Sequence, residues 1–272
     1  MRLLLSLSLL VAGAASIAQP GAPPVAITGR DQALVDRAAR RGQLIYAYDQ
    51  AAWHGSDDAL AKAPGLAPKI GGWVVDGSVE ATEFLFFDKH NATPHALYKA
   101  RFRNNKLVES HVVGEAGDRT ISPARLKLIA ALATARAAAR TAGIKSCSDK
   151  PFNTVVLPPE APGGPTLVYL LTPQTTNDAL SAGGHYLIEV AADGTTGTPT
   201  PFAKSCVALP IRQANAAAMV ITHLLTPVPT EMHVFTSLSA RLPLYVATMQ
   251  NQLLWSVSGT KIAAKRKLDD KN

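Results

Sequence analysis

Residues 96–113 read ALYKARFRNNKLVESHVV. Two runs of mixed apolar and charged residues flank Asn104-Asn105, and asparagine tolerates the positive φ that a two-residue hairpin turn requires. This turn sets Phe102 opposite Leu107, Ala100 opposite Glu109 and Tyr98 opposite His111. Lys99, Arg101, Arg103 and Lys106 fall on the other face. One face can pack while the other meets water, as expected of an antiparallel sheet. On this register His111 sits beside Tyr98 as a packed residue, hydrogen-bonded as buried polar groups generally are.

Strand signals precede the hairpin in EFLFFD (83–88), GGWVVDG (71–77) and LIYAYD (44–49). A short helix is expected before them. Thr28 can cap it, Asp31 places negative charge at its N-terminus, and Gly42 after Arg40-Arg41 is a stop signal. Asp57-Asp58 suggest the start of another short helix, with His54 in the loop before it. Residues 28–115 thus read as a helix followed by an antiparallel sheet.

Beyond the hairpin, Ser122-Pro123 forms a strong helix start. The Ala-rich segment to Gly143 places Leu126, Ile129, Ala130, Ala133 and Ala137 on one face. Strands follow at 153–157, 166–171, 185–191 and 205–209, then a short helix within 211–225. A three-strand meander closes the chain: EMHVFTSL (231–238), LPLYVATM (242–249) and QLLWSVSG (252–259). A turn at Gln250-Asn251 pairs Val246 with Trp255, Leu244 with Val257 and Thr248 with Leu253, a core layer of cross-strand neighbours. Residues 120–262 thus form a helix plus antiparallel sheet, and 263–272 a charged tail. The fold class is α+β, with two antiparallel sheets, a central Ala-rich helix and a few short helices.

The first eighteen residues, MRLLLSLSLLVAGAASIA, carry the pattern of a secretory signal peptide. Arg2 is followed by an apolar run from Leu3 to Val11. Ser16 and Ala18 then make a small-x-small site, so cleavage is expected between Ala18 and Gln19. No later segment is apolar over the roughly eighteen residues of a membrane helix. The two cysteines, Cys147 and Cys206, are expected to pair in an oxidising compartment. The destination is secreted or periplasmic. The formal charge of +7 on 272 residues is mild and dispersed, and with export it argues against a nucleic-acid partner.

No dinucleotide fingerprint, phosphate loop, C-x-x-C, H-E-x-x-H or G-x-S-x-G is present, and no cofactor is implied. Asn91-Ala92-Thr93 formally matches a glycosylation acceptor, with Pro94 after it and His90 and His95 on either side. Glu231 and His233 are the sharpest pair. On a strand they would share a face with Phe235, which suits packing better than an open metal site, and no metal is expected there. The reading favoured is an exported, non-catalytic binding or interaction protein, its partner an envelope protein or a small ligand. The alternative is a hydrolase whose dispersed site draws on His185, His223, Glu231 and His233, with or without a metal ion.

Overall fold

The structure, a computed structural model, describes residues 25–89, 93–211 and 216–269. The segment expected to be a signal peptide with its Ala18–Gln19 site, His90, Asn91 and the last three residues lie outside them. The chain is α+β. Helix α1 (Gly29–Lys62) leads into a single 3-10 turn and then four strands, β1 (Ile70–Gly77), β2 (Ala81–Asp88), β3 (Ala96–Arg103) and β4 (Lys106–Val112), paired in that order as an antiparallel meander. Helix α2 (Pro123–Thr141) follows. Strands β5 (Asn153–Leu157), β6 (Thr166–Leu171), β8 (Tyr186–Val190) and β9 (Thr200–Pro201) form a second antiparallel sheet. Between them β7 (Ala179–Ser181) pairs with β10 (Ala208–Pro210) as a ribbon. Strand β11 (Met219–His223), helix α3 (Glu231–Ala240), β12 (Leu244–Thr248), β13 (Leu253–Ser258) and β14 (Lys261–Lys267) complete the chain.

Several expectations hold in atomic detail. Asn104 and Asn105 both take positive φ at the β3–β4 turn, and Phe102 faces Leu107. Val246 pairs with Trp255, Leu244 with Val257 and Thr248 with Leu253. Ser122 caps α2 ahead of Pro123. Cys147 and Cys206 form the disulfide, with Cα atoms 5.6 Å apart.

Other expectations are corrected. A bulge between Arg101 and Phe102 shifts the β3–β4 pairing by one residue, so Ala100 faces Ser110 and Tyr98 faces Val112. A one-residue slip moves side chains to the opposite face, and His111 is therefore exposed. Helix α2 buries Leu128, Ala131, Leu132, Ala135 and Ala139, not the stripe through Ala130 and Ala133. In so alanine-rich a helix several faces are nearly equivalent, and the one carrying Leu128 and Leu132 wins. Residues 263–267 of the expected tail are part of β14, paired with β13. Within 211–225, residues 219–223 are strand β11 and not helix, while 212–215 lie outside the described residues. β11 pairs with β12 in parallel through α3, the crossover connection that a parallel pair requires.

The largest correction concerns α1. It runs unbroken for 34 residues through Gly42, LIYAYD and the Asp57-Asp58 pair. Its buried positions Val35, Ala38, Gly42, Ile45, Tyr48, Ala51, Gly55 and Ala59 recur at three and four residues, the spacing of one helix face. Gly42 is a close-packing residue: a Cβ there would meet Val234 Cβ at 2.5 Å and the Glu231 carbonyl oxygen at 2.7 Å. Near the helix end Asp58 accepts hydrogen bonds from Tyr98 (2.6 Å) and Ser110 (2.7 Å), tying α1 to the first sheet. One core cluster joins residues of α1, β1–β3, β5, β6 and α3; a second joins the first two sheets through α2; a third lies between α3 and the last sheet.

Candidate functional site

Residues 231–238 form helix α3, not a strand. Thr230 precedes it, and His233 at the third helical position accepts the Thr230 backbone N–H through Nδ1 at 2.9 Å. This is the reciprocal bond that a capping-box glutamate ordinarily makes. Two hydroxyl groups along the helix find acceptors within the fold: Thr236 on the Met232 carbonyl (2.7 Å) and Ser237 on that of Leu242 (2.8 Å). With these polar groups internally bonded, the helix can be buried between α1 and β12–β13.

Glu231 and His233, two apart on a helix, point in different directions. Glu231 accepts the Tyr169 hydroxyl at 2.9 Å, and its Oε1 lies 3.7 Å from Arg41 Nη1. Arg41 also holds Glu160 through two bonds of 2.8 Å. Burial works against the Arg41 charge, but the Glu160 bond together with the charges of Tyr169, Glu231 and Glu160 outweighs it, and the guanidinium pKa is raised. Burial and the Glu231 carboxylate raise the Tyr169 pKa, keeping that hydroxyl a donor.

His233 stacks edge-on against His223, ring centres 4.7 Å apart. The Thr226 hydroxyl donates to the Val228 carbonyl (2.6 Å), so at His223 Nε2 (2.7 Å) it accepts. That assigns the proton of a neutral His223 to Nε2, and the Thr230 bond assigns that of His233 to Nε2 as well. Burial pushes His223 down to about 4. Burial, with the neighbouring His223, pushes His233 down to about 3. Both rings are neutral at physiological pH.

His185 lies apart from that pair. It accepts the Thr172 N–H at Nδ1 (3.1 Å) and reaches the Ser181 carbonyl through Nε2 (2.9 Å). Burial lowers its pKa. Thr172 also bonds the Gly184 carbonyl and the Cys147 N–H. His185 is therefore the keystone of the disulfide corner, and the four sequence candidates do not share one cavity. Among the described residues no three His, Cys, Asp or Glu side chains gather as a metal site would need.

A cleft of about 580 Å³ lies elsewhere, and no motif pointed to it. Tyr46, Asp49, Gln50 and Trp53 of α1 form its first wall, at helical positions i, i+3, i+4 and i+7. Phe235, Ser239 and Arg241 at the C-terminal end of α3 form the second. The segment from Leu171 to Asn177, which His185 and the disulfide brace at Thr172, forms the third. Gly42 reads locally as a helix end, and only a helix continuous through it brings the stripe in YAYDQAAW into line. Trp53 is 58% exposed, its ring stacked on His54. The Ser239 hydroxyl is buried without a hydrogen-bond partner. Burial pushes the Asp49 carboxyl up to about 6, against a hydrogen bond from Gln50. Neither Asp49 nor Arg241 belongs to an ion pair among the described residues.

A smaller hollow on the outer face of the first sheet is also lined by charged side chains. There Arg101 pairs with Glu109, and Arg125 with both Asp76 and Glu83. Those charges are neutralised in pairs, and Lys99, also in the lining, donates to the Asp118 carbonyl.

The chain matches no known family model, no curated protein and no solved structure.

Proposed function

We propose that this is an exported, non-catalytic binding protein whose small ligand occupies the cleft between α1, α3 and the 171–177 segment. The observation that carries the reading is a cleft that gathers Asp49 and Arg241, neither in an ion pair among the described residues, beside an exposed indole. A concave site with apolar walls and a few convergent polar groups is the usual form of a ligand pocket, and its volume is within the usual range of ~300–1,000 Å³. The hydrolase alternative draws no support from the geometry: His185 lies apart, Glu231 points away from the stacked His223–His233 pair, and all four are engaged in structural hydrogen bonds.

Export is part of the proposal. The disulfide suits an oxidising compartment, and among the described residues no helix is long and apolar enough to cross a membrane. N-terminal sequencing of the protein from the envelope or medium should begin at Gln19. A chain there that retains Met1 would refute the processing.

The binding reading is tested by a thermal-shift and calorimetric screen. The compounds are amino acids, short peptides, sugars, nucleosides and polyamines, assayed against the oxidised protein and against Trp53→Ala. At least one class should raise the melting temperature of the native chain and lose that effect in the variant. If no compound does, the cleft is not a small-ligand site.

A further inference from the structure

We infer that the ligand is zwitterionic, a free amino acid or short peptide, with its ammonium group on Asp49, its carboxylate on Arg241 and its apolar side chain against Trp53 and Phe235. This rests on the cleft being the binding site.

The partly buried Arg41, Arg119 and Arg125 each face a carboxylate. Half-buried Asp49 and exposed Arg241 belong to no ion pair among the described residues. They line one cleft and carry opposite signs. A ligand with one charge would answer only one of them. A ligand with both charges, separated by its own backbone, answers both.

The backbone at Arg241 is a second, independent sign. This residue closes α3 in the left-handed conformation, with φ 55° and ψ 33°. Glycine is the ordinary residue at such a position, and an L side chain there is strained. Non-glycine residues in this region concentrate at ligand clamps. An arginine here aims a guanidinium at the cleft from a fixed helix end, and guanidinium matches carboxylate geometry in a two-pronged bond. Phe235 and Ser239 lie one turn apart on the same helix. They offer an apolar contact and an unpaired hydroxyl along the path between the two charges.

The acid–base behaviour of the site follows. An arriving ammonium favours the ionised form of Asp49, so binding releases a proton wherever Asp49 is partly protonated in the free protein. Affinity should therefore decline as pH falls below about 6.

The test uses the oxidised, full-length mature protein in isothermal calorimetry. The probes are phenylalanine, phenylalanylleucine, N-acetylphenylalanine and phenylalanine amide. The free amino acid or the dipeptide should bind, and each blocked form at least tenfold more weakly than its parent. Comparing the first two probes decides the length preferred. Asp49→Asn should abolish the discrimination against the acetylated form and the decline below pH 6. Arg241→Gln should abolish the discrimination against the amide. Equal binding of blocked and free forms would overturn the inference. So would the absence of binding by all four probes. If in that case a sugar, nucleoside or polyamine still binds dependent on Trp53, the cleft reading survives and the zwitterion is excluded. Melting curves of both variants verify that they are folded.

Discussion

The two ends of α3 treat polar groups in opposite ways. At the N-terminal end Glu231 meets Tyr169 and Arg41, and His233 caps the helix through Thr230. At the C-terminal end, among the described residues, the Ser239 hydroxyl has no partner and Arg241 no carboxylate, although the helix is only 10 residues long. The first arrangement is what folding requires of buried polar groups. The second is tolerable only where water or a ligand completes it. The candidates His223, Glu231 and His233 lie at the first end. Unmet hydrogen bonds and ion pairs point to the second, where the proposed cleft lies.

Substitutions should separate the two ends by the sign of their effect. The largest loss is expected beneath the helix, at Trp255, which is fully buried and donates its indole N–H to Thr248 at 2.9 Å. Trp255→Ala should destabilise by about 3–5 kcal/mol in urea melts. A loss under about 1 kcal/mol would place that ring outside the core.

At the N-terminal end His233→Ala should cost about 2–3 kcal/mol, from the lost cap and the space left beside His223. It should also change the acid profile. His223 and His233 have folded pKa values below the ordinary ~6.5, so the unfolded chain binds more protons than the native one. Their contribution to stability is complete above pH 6.5 and is lost as pH falls towards about 4. In His233→Ala that decline should be shallower. An unchanged slope would mean that the ring is not held neutral by its surroundings.

At the C-terminal end the changes should stabilise. Asp49 has the opposite linkage: its folded pKa is raised, so its ionisation detracts from stability as pH rises from ~4 to about 6, and the whole penalty stands above that. Asp49→Asn should thus gain on the order of 1 kcal/mol at pH 7.5, a discounted figure for a carboxyl still partly open to water. Arg241→Gly should gain about 0.5–1 kcal/mol by relieving the left-handed backbone, and should lose ligand. If both substitutions destabilise, the two ends of α3 do not differ as described.

Much of the architecture was legible because its signals are local. Asn104-Asn105, Ser122-Pro123 and the alternation around Val246 and Trp255 each encode a turn, a cap or a face within a few residues. The missing pieces depended on contacts distant in sequence. Gly42 reads as a stop until Val234 and Glu231 of α3 are seen against it. EMHVFTSL reads as a strand because the partners of its threonine, serine and histidine are internal carbonyls and a backbone N–H. The bulge at Arg101 has no local signature, and it moved His111 from core to surface. The cleft was illegible for the same reason as α1: without one continuous helix, Tyr46, Asp49, Gln50 and Trp53 do not line up.

The contact at Gly42 has a mechanical consequence. The two helices touch backbone to backbone there, and further along both of them, at Trp53 on one and Arg241 on the other, they form opposing walls. Gly42 sets how closely the helices approach at that point. From Gly42 to Trp53 is eleven residues, or about 16 Å of helix at ~1.5 Å per residue, so a larger side chain at Gly42 should push the two walls apart. The bore of the cleft should thus respond to a residue outside its lining, without a change to any side chain that lines it.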